Sequence, residues 1–271
     1  MFKQALSKLK SAISPAARPA ARVPDGTRVY AIGDIHGRAD LLDQLHDKIQ
    51  ADAKGSDASR HVVVYLGDYV DRGLDSKGVI DRLIGDPLPG FEKVFIKGNH
   101  EDAFLKFFVE PEFGRDWKYY GGLETLMSYG VKALPMKDEP EAFVAARDEL
   151  ATKFSPQHLE FFGGLKLSHE EGDYFFAHAG VRPGRPLDRQ TGDDLMWIRD
   201  EFLASDADFG KVVVHGHTPE EVPIDRSNRI GIDTGAYITG VLTCVVLEAG
   251  ARRFIQVGGQ TDGQPGDQAE S

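Results

Sequence analysis

Short polar segments rich in His, Asp and Asn follow five apolar runs in this sequence of 271 residues. "GDIHGR" follows "RVYAI", "GDYVDRG" follows "HVVVYL", "KGNHED" follows "KVFI", "HAG" follows "DYFFA", and "HGHT" follows "KVVV". The side chains in them that could bind a metal are Asp34, His36, Asp68, Asn99, His100, His178, His215 and His217. Imidazole nitrogens mixed with carboxylate and amide oxygens, without thiolates, suit Mn, Fe or Zn better than Ca or Mg.

These side chains outnumber the ligands that a single metal needs, so the sequence predicts two metals bridged by one carboxylate. Such a pair is the clamp that phosphatases use on phosphoryl oxygens. Asp68 and Asp71 lie three residues apart in "GDYVDRG" and repel each other unless positive charge lies near them. A metal pair supplies that charge, with Asp68 as the candidate bridge. Each segment alone also fits an ordinary turn, an Asp–Arg ion pair or a structural histidine, and their joint occurrence favours the metal site.

The elements that carry these segments follow from the apolar pattern. Continuous Val, Ile and Phe runs bounded by glycine predict strands buried on both faces. "ADLLDQLHDKIQADA" and "DSKGVIDRLIG" predict helices between strands, and "RIGIDTGAY", "VLTCVVLEA" and "RRFIQV" predict three further strands. Strands alternating with helices indicate an α/β fold. Because such folds bind ligands beyond the carboxyl ends of their strands, the five polar segments should meet at one site.

Three regions divide the chain. Residues 1–26 predict a basic N-terminal tail and linker, residues 27–257 a single catalytic domain, and residues 258–271 a disordered C-terminal tail. Within the domain, residues 103–172 interrupt the strand pattern and indicate a helical insertion over the rim of the site. Residues 2–13 place apolar side chains on one helical face, so contact with an anionic membrane surface is an alternative to a loose tail.

The amino-acid composition limits the partners and the compartment that fit this protein. The hydrophobic content of 41% permits a sizeable core, and the net charge of −11 disfavours a nucleic-acid partner. The only cysteine, Cys244, excludes an intramolecular disulfide and fits a reducing, cytoplasmic compartment. No apolar run approaches the ~18 residues that a membrane span needs. Nothing in the sequence indicates an oligomeric state.

In this order and spacing, "GDIHG", "GDYVDRG", "GNHED", "HAG" and "HGHT" resemble the phosphoprotein phosphatase family of metallophosphoesterases. "YYGGLETLMSYG" and "LMWIRDEF" are similar to the bacterial and phage serine/threonine phosphatases of that family. The resemblance covers residues 27–250. It implies a calcineurin-like β-sandwich flanked by helices, with two divalent metal ions. We expect Mn²⁺, with Fe or Zn as alternatives.

The resemblance also implies a ligand set. One metal is expected at Asp34, His36 and Asp68, and the second at Asp68, Asn99, His178 and His217. His217 is preferred because the family's ligand directly follows the small residue, here Gly216, and His215 stays open as the alternative. Pro219 stands where many other metallophosphoesterases have another ligand histidine, which favours the phosphoprotein phosphatase arrangement.

The remaining polar side chains then acquire expected roles. A hydroxide between the metals would attack phosphorus directly. His100 is the expected general acid for the leaving group, and Asp71 is expected to orient its ring. Arg72 and Arg199 are expected to clamp the phosphoryl oxygens, a task that suits a planar guanidinium. Arg182 is a third candidate, although a surface arginine would look the same.

Three functions fit these residues. The first expectation is a phosphomonoesterase that acts on phosphoserine and phosphothreonine, with phosphotyrosine as a further substrate. The alternative is a dinucleoside polyphosphate hydrolase of the diadenosine tetraphosphatase kind, which shares the same metal motifs. A third class is a non-catalytic module that binds a phospho-ligand. Such a module should have lost a ligand, the acid or the arginine, and none of these is missing. The expected partner is therefore a phosphorylated protein or a small phosphoester.

Overall fold

The computed structural model describes residues 20–259. Within them lie ten strands: β1 (Thr27–Ile32), β2 (Arg60–Tyr65), β3 (Glu92–Phe95), β4 (Ser168–Glu171), β5 (Tyr174–Ala177), β6 (Val212–His215), β7 (Ile224–Asp225), β8 (Arg229–Gly231), β9 (Val241–Glu248) and β10 (Ala251–Gly258). They form two five-stranded sheets with the orders β10-β9-β1-β2-β3 and β4-β5-β6-β8-β7. In the first sheet β1, β2 and β3 are parallel, and in the second β5, β6 and β8 are parallel. The parallel strands bring the predicted turns to the same edges.

The same residues include ten α-helices: α1 (Ala39–Lys54), α2 (Ser76–Ile84), α3 (Asn99–Val109), α4 (Gly114–Trp117), α5 (Gly122–Ser128), α6 (Pro140–Lys153), α7 (Pro156–Gly163), α8 (Gly192–Trp197), α9 (Asp200–Leu203) and α10 (Ala236–Thr239). Short 3-10 helices cover Pro111–Phe113, Lys118–Tyr120 and Leu187–Arg189. No helix within residues 20–259 combines the length and the apolar character needed to cross a membrane.

The two sheets pack face to face between helices, because side chains alternate along each strand. In β1, Val29 and Ala31 belong to the core between the sheets, whereas Tyr30 and Ile32 belong to the core beneath the helices of the first sheet. In the second sheet, Phe176 faces the shared core. This arrangement confirms the expected α/β fold and the calcineurin-like sandwich.

The stretch between β3 and β5 differs in part from the sequence-based expectation. It contains helices α3 to α7, as predicted, but it also contains β4, which pairs antiparallel with β5 over Ser168–Glu171. The strand "SHEE" was missed because its polar composition carries no apolar alternation. The domain boundaries themselves stay a prediction, and the expected features of residues 2–13 and 260–271 lie outside the described residues.

Candidate active site

The turns after the strands hold site residues in backbone conformations that are rare for side chains other than glycine. Seven non-glycine residues within the described part of the chain have positive φ, and five of them belong to the predicted site. These are His36 (46°), Asp68 (52°), Asp71 (71°), Arg72 (68°) and His217 (67°). Left-handed backbone carries a cost of order 1 kcal/mol per residue and collects at functional sites. The fold therefore holds this strained constellation against local preference.

Asp68 lies between two groups of buried ligand-type side chains. Its Oδ2 is 3.5 Å from His36 Nε2 and 3.8 Å from His100 Nε2, and these three residues form one group. Its Oδ1 is 3.4 Å from His178 Nε2, and Asp68, His178 and His217 form the other group. Each carboxylate oxygen thus faces one group, which is the placement that the predicted bridge requires.

Asn99 completes the second group. Its side-chain oxygen lies 2.9 Å from His178 Nε2 and 2.8 Å from His217 Nδ1, and the two imidazole nitrogens are 3.2 Å apart. Asn99 is the first residue of α3, so it projects from a helix start directly after β3. Four side chains from four separate turns therefore converge on one small volume.

Asp34 lies next to this volume and is fixed by the turn after β6. The backbone N–H of His217 donates to both of its carboxylate oxygens, at 3.2 and 3.0 Å. This approach requires glycine at the preceding position, because a Cβ on Gly216 would lie 2.0 Å from Asp34 Oδ1. The structure thus joins "GDIHG" to "HGHT" through a backbone contact.

The orientation of two histidines tests whether metals fit. His36 Nδ1 lies 2.9 Å from the Val70 carbonyl, and His178 Nδ1 lies 2.9 Å from the Leu66 carbonyl. A carbonyl can only accept, so Nδ1 carries a proton in both rings, and Nε2 is the nitrogen that faces the site and would bind a metal. This is the usual support for a metal-binding histidine. His217 presents its Nδ1 to the second group, 3.2 Å from His178 Nε2.

Three buried carboxylates also indicate that cations bind at this site. Asp34, Asp68 and Asp233 are each no more than 5% exposed. Burial, followed by the charges of Asp233 and Asp68, raises the pKa of Asp34 well above its usual range. Burial also raises the pKa of Asp233. Ionised carboxylates in so dry a place need nearby positive charge, and divalent cations supply it. The donor set therefore fits a metal centre. Asp233 was not predicted, since "RIGIDTGAY" showed only a strand.

His100, a member of the first group, forms a buried pair with Asp71. His100 Nδ1 lies 2.7 Å from Asp71 Oδ2. Asp71 also accepts hydrogen bonds from Trp117 Nε1 at 2.8 Å and from Thr125 Oγ1 at 2.6 Å. Burial lowers the pKa of His100, but the charges of Asp68 and Asp71 outweigh it, and the net shift is upward. Trp117 and Thr125 belong to the stretch predicted as a helical insertion, which thus supports the site.

Glu101 is a further functional residue that sequence reasoning missed. Its side chain accepts hydrogen bonds from the backbone N–H groups of Asp68 (2.8 Å), Tyr69 (2.7 Å), Val70 (3.3 Å) and Gly98 (2.9 Å). It is fully buried, and burial together with the Asp68 charge raises its pKa to about 7. The acid in "GNHED" therefore ties the "GDYVD" turn to the start of α3. Only its position within the motif signalled this role.

The predicted arginines differ in what they contact. Arg72 Nη1 donates to His36 Nε2 at 2.9 Å, so it would have to release this lone pair before a metal could bind there. Arg199 lies beside the second group, with Nη1 3.5 Å from Thr218 Oγ1. Arg182 is ion-paired with Asp194 and Glu201, both at 2.6 Å, so its guanidinium is already engaged by carboxylates. The clamp role of Arg72 and Arg199 stays a prediction.

The two histidines of "HGHT" point to different places. His217 belongs to the second group, whereas the ring of His215 packs 5.0 Å from the Phe202 ring, with Nδ1 against the Gly216 carbonyl at 3.0 Å. Side chains alternate along a strand, so residues two apart should share a side. The left-handed backbone at His217 ends the strand pattern and turns its ring toward the site. The geometry favours His217 as the ligand.

Comparison with known proteins identifies the family to which the chain belongs. The family model for calcineurin-like phosphoesterases matches residues 27–240, which is most of the sequence. The chain belongs to this family. It is a metallophosphoesterase, a hydrolase of phosphoric esters, as the sequence motifs predicted. The family uses a binuclear divalent metal centre, in agreement with the two groups joined by Asp68.

Curated relatives of this metallophosphoesterase carry a more specific name. The asymmetrical bis(5'-nucleosyl)-tetraphosphatase PrpE of Halalkalibacterium halodurans is 27% identical, over 79% of this chain and 87% of the relative. Proteins of the same name from Anoxybacillus flavithermus and Geobacillus thermodenitrificans are 25% and 28% identical, each over 79% of this chain and 88% of the relative.

Solved structures of the same fold include proteins named for different activities. A protein assigned as a diadenosine tetraphosphatase has a TM-score of 0.53 and 22% identity, covering 91% of this chain and 97% of its own. A serine/threonine phosphatase from Saccharomyces cerevisiae has a TM-score of 0.52 and 14% identity, covering 89% and 82%. At these identities the structures show the fold of the metallophosphoesterase and not its substrate.

The first functional expectation is therefore wrong. A phosphomonoesterase for phosphoserine and phosphothreonine was expected, but the curated relatives that span most of the chain are named as dinucleoside tetraphosphatases. The reason for the error is chemical. The motifs that carried the expectation bind metals and phosphoryl groups, and both kinds of hydrolase share them. What lies beyond the phosphate separates the two substrates, and these motifs do not describe it.

Proposed function

We propose that this metallophosphoesterase hydrolyses the phosphoanhydride bonds of dinucleoside polyphosphates with two divalent ions that share Asp68 as a ligand. Mn²⁺ is the expected ion. The observation that carries the proposal is the set of relatives named asymmetrical bis(5'-nucleosyl)-tetraphosphatase, which match 79% of the chain. The ligand-type side chains that metal hydrolysis needs are present and converge, which supports the same reaction.

The chain's own residues have defined tasks in this reaction. Bound divalent cations activate water and neutralise charge on phosphoryl oxygens. Asp34, His36 and Asp68 would hold one cation, and Asp68 with Asn99, His178 and His217 would hold the other. Glu101 keeps Asp68 in place through the backbone of its turn. Arg72 and Arg199 lie at the edges of the two groups, where they can bind the phosphoryl oxygens bidentately.

The bond change is a single displacement. Water oxygen bonds to one phosphorus, the bond from that phosphorus to the bridging oxygen breaks, and the water proton passes to solvent. The leaving group is a nucleoside phosphate, whose last ionisation has a pKa of about 6, so it departs with little protonation. His100 therefore stabilises the leaving oxygen mainly through a hydrogen bond, with Asp71 fixing the orientation of the ring.

Hydrolysis of diadenosine tetraphosphate by the purified full-length chain tests the proposal. Products are separated chromatographically across a series of Mn, Fe, Zn and Mg. We expect AMP and ATP, the products of asymmetrical cleavage, with activity lost on chelation and in an Asp68→Asn variant. Glu112→Ala, an exposed acid remote from the groups in sequence, serves as the control. A phosphopeptide turned over in strong preference to the dinucleotide would contradict the proposal.

A further inference from the structure

Exposed aromatic side chains gather at the predicted site and nowhere else in the described chain. Within residues 20–259, the exposed Phe, Tyr or Trp side chains are Tyr119 (75%), Tyr120 (39%) and Trp197 (37%). The Tyr120 ring lies 6.2 Å from the His100 ring and 6.5 Å from the Trp197 ring. The Trp197 ring lies 6.4 Å from the His217 ring. Exposed apolar surface collected in one place indicates binding.

Two of these rings line a pocket that also includes Arg72, the predicted phosphate-binding arginine. The pocket has a volume of about 350 Å³, and its walls include Tyr119, Tyr120, Tyr237 and Arg72. This volume lies in the range of small-molecule sites, about 300–1,000 Å³. The Arg72 guanidinium stacks 4.7 Å from the centre of the Tyr237 ring, while its Nη1 contacts His36 Nε2 in the first group. Arg72 is thus shared by the pocket and the predicted metal centre.

The backbone holds the pocket rigidly against that centre. Tyr119 and Tyr120 lie on the short helix Lys118–Tyr120, and the next residue, Gly121, accepts a hydrogen bond from the Arg72 N–H at 3.1 Å. Gly121 has φ of +94°, and a Cβ there would lie 2.4 Å from Arg72 N. Lys118 is ion-paired with Asp138, which anchors the other end of the helix. The two tyrosines are therefore a preorganised surface of the insertion and not part of a loose loop.

We propose that Tyr119 and Tyr120 form the base-binding subsite of this enzyme, where a purine base stacks while its phosphates reach Arg72 and the metal groups. The identity of the substrate rests on the proposed function. In a nucleotide, one sugar links a flat aromatic base to an anionic phosphate. In the pocket, the exposed Tyr119 and Tyr120 rings lie near the Arg72 guanidinium, so the base can stack on the rings while the phosphate binds Arg72. Base–aromatic stacking tolerates different bases because each has a π-face, so the subsite selects nucleotides over bare phosphates.

The test compares substrates with and without a base. Tyr119→Ala is the main variant, because its ring makes no aromatic contact with a predicted catalytic side chain among the described residues. Tyr120→Ala and the two Tyr→Phe variants accompany it. Val109→Ala is the control: it is 79% exposed and lies at the far end of α3, about 14 Å from His100 along the helix. Diadenosine tetraphosphate and tripolyphosphate are the substrates, and AMP and inorganic phosphate are titrated calorimetrically with Mn²⁺ present.

We expect each Tyr→Ala change to raise KM for diadenosine tetraphosphate and Kd for AMP by roughly tenfold, from the loss of one stacking contact. The values for tripolyphosphate and inorganic phosphate should stay within about twofold, as should kcat in Tyr119→Ala. The Tyr→Phe variants keep the ring and should behave as wild type. The Val109→Ala control should match wild type on every ligand.

The outcomes separate this inference from the proposed function. If wild-type protein cleaves the dinucleotide and Tyr119→Ala leaves its KM and the AMP affinity unchanged, the subsite is refuted while the proposed function stands. Equal losses for AMP and inorganic phosphate would also refute it, because the rings would then act through Arg72. If wild-type protein fails on dinucleotides but AMP still binds and weakens tenfold in the variant, the subsite holds and the proposed reaction is wrong.

Discussion

His100 Nδ1 lies 2.7 Å from Asp71 Oδ2, and both side chains are almost completely buried. The same carboxylate accepts from Trp117 and Thr125, so it cannot rotate without breaking three hydrogen bonds. The pairing leaves His100 Nε2 facing Asp68 across 3.8 Å. The predicted acid is thus aimed at the metal groups by an aspartate that the insertion holds in place.

Asp71→Asn should lower kcat on phenyl phosphate, whose leaving group needs a proton, by about 10²- to 10⁴-fold while both metals remain bound. An amide presents a donor where the carboxylate accepts, so it cannot satisfy His100, Trp117 and Thr125 together. Steady-state kinetics on phenyl phosphate and metal analysis by mass spectrometry check this. Loss of metal in proportion to activity would show that Asp71 supports the metal centre instead.

His100→Asn should reveal its acid role through the leaving group. Phenol has a pKa of ~10, like the tyrosine side chain, and needs protonation as it departs, whereas p-nitrophenol is far more acidic. We expect a larger fall in kcat/KM for phenyl phosphate than for p-nitrophenyl phosphate, and a small fall for diadenosine tetraphosphate. Equal falls on all three substrates would count against proton donation by His100.

His217→Ala and His215→Ala form a matched pair, since the residues are two apart and both are buried. The ring of His217 belongs to the second group and that of His215 packs on Phe202. His217→Ala should therefore bind the second metal ion more weakly, because it removes one of that ion's four expected protein ligands. His215→Ala should lower the melting temperature and keep both ions. Metal analysis of the folded variants distinguishes the two, and the reverse result would reassign the ligand.

Glu101→Ala should destabilise the fold by about 3 kcal/mol, because it strands buried backbone N–H groups that the carboxylate now accepts. The midpoint of chemical unfolding, compared with the exposed control Glu112→Ala, measures this change. Since the Asp68 turn is among the segments released, metal affinity should fall as well. A variant with wild-type stability would show that these N–H groups find other partners.

The local pattern of the sequence was enough to predict most of the strands, the main helices and the convergence of the polar turns. Continuous apolar runs such as "RVYAI" and "HVVVYL" report burial on both faces, and the turns that follow them hold the ligand-type residues. The polar strand β4 was missed, because pairing with β5 specifies it and hydrophobic periodicity does not. The substrate was also misjudged, since the metal motifs describe the phosphate end alone.

The sequence alone was therefore enough to predict the type and order of the candidate metal-binding residues, because each of them directly follows its own strand along the chain. The supports of those residues required tertiary packing. Trp117 and Thr125 lie 46 and 54 residues from the Asp71 carboxylate they bond. The hydrogen bonds from the His217 N–H to Asp34, and the hydrogen bond from the Arg72 N–H to Gly121 beside Tyr119 and Tyr120, are likewise contacts between distant segments. The pattern of hydrophobic residues along the sequence cannot predict such contacts, since they form only when the two sheets and the insertion pack together.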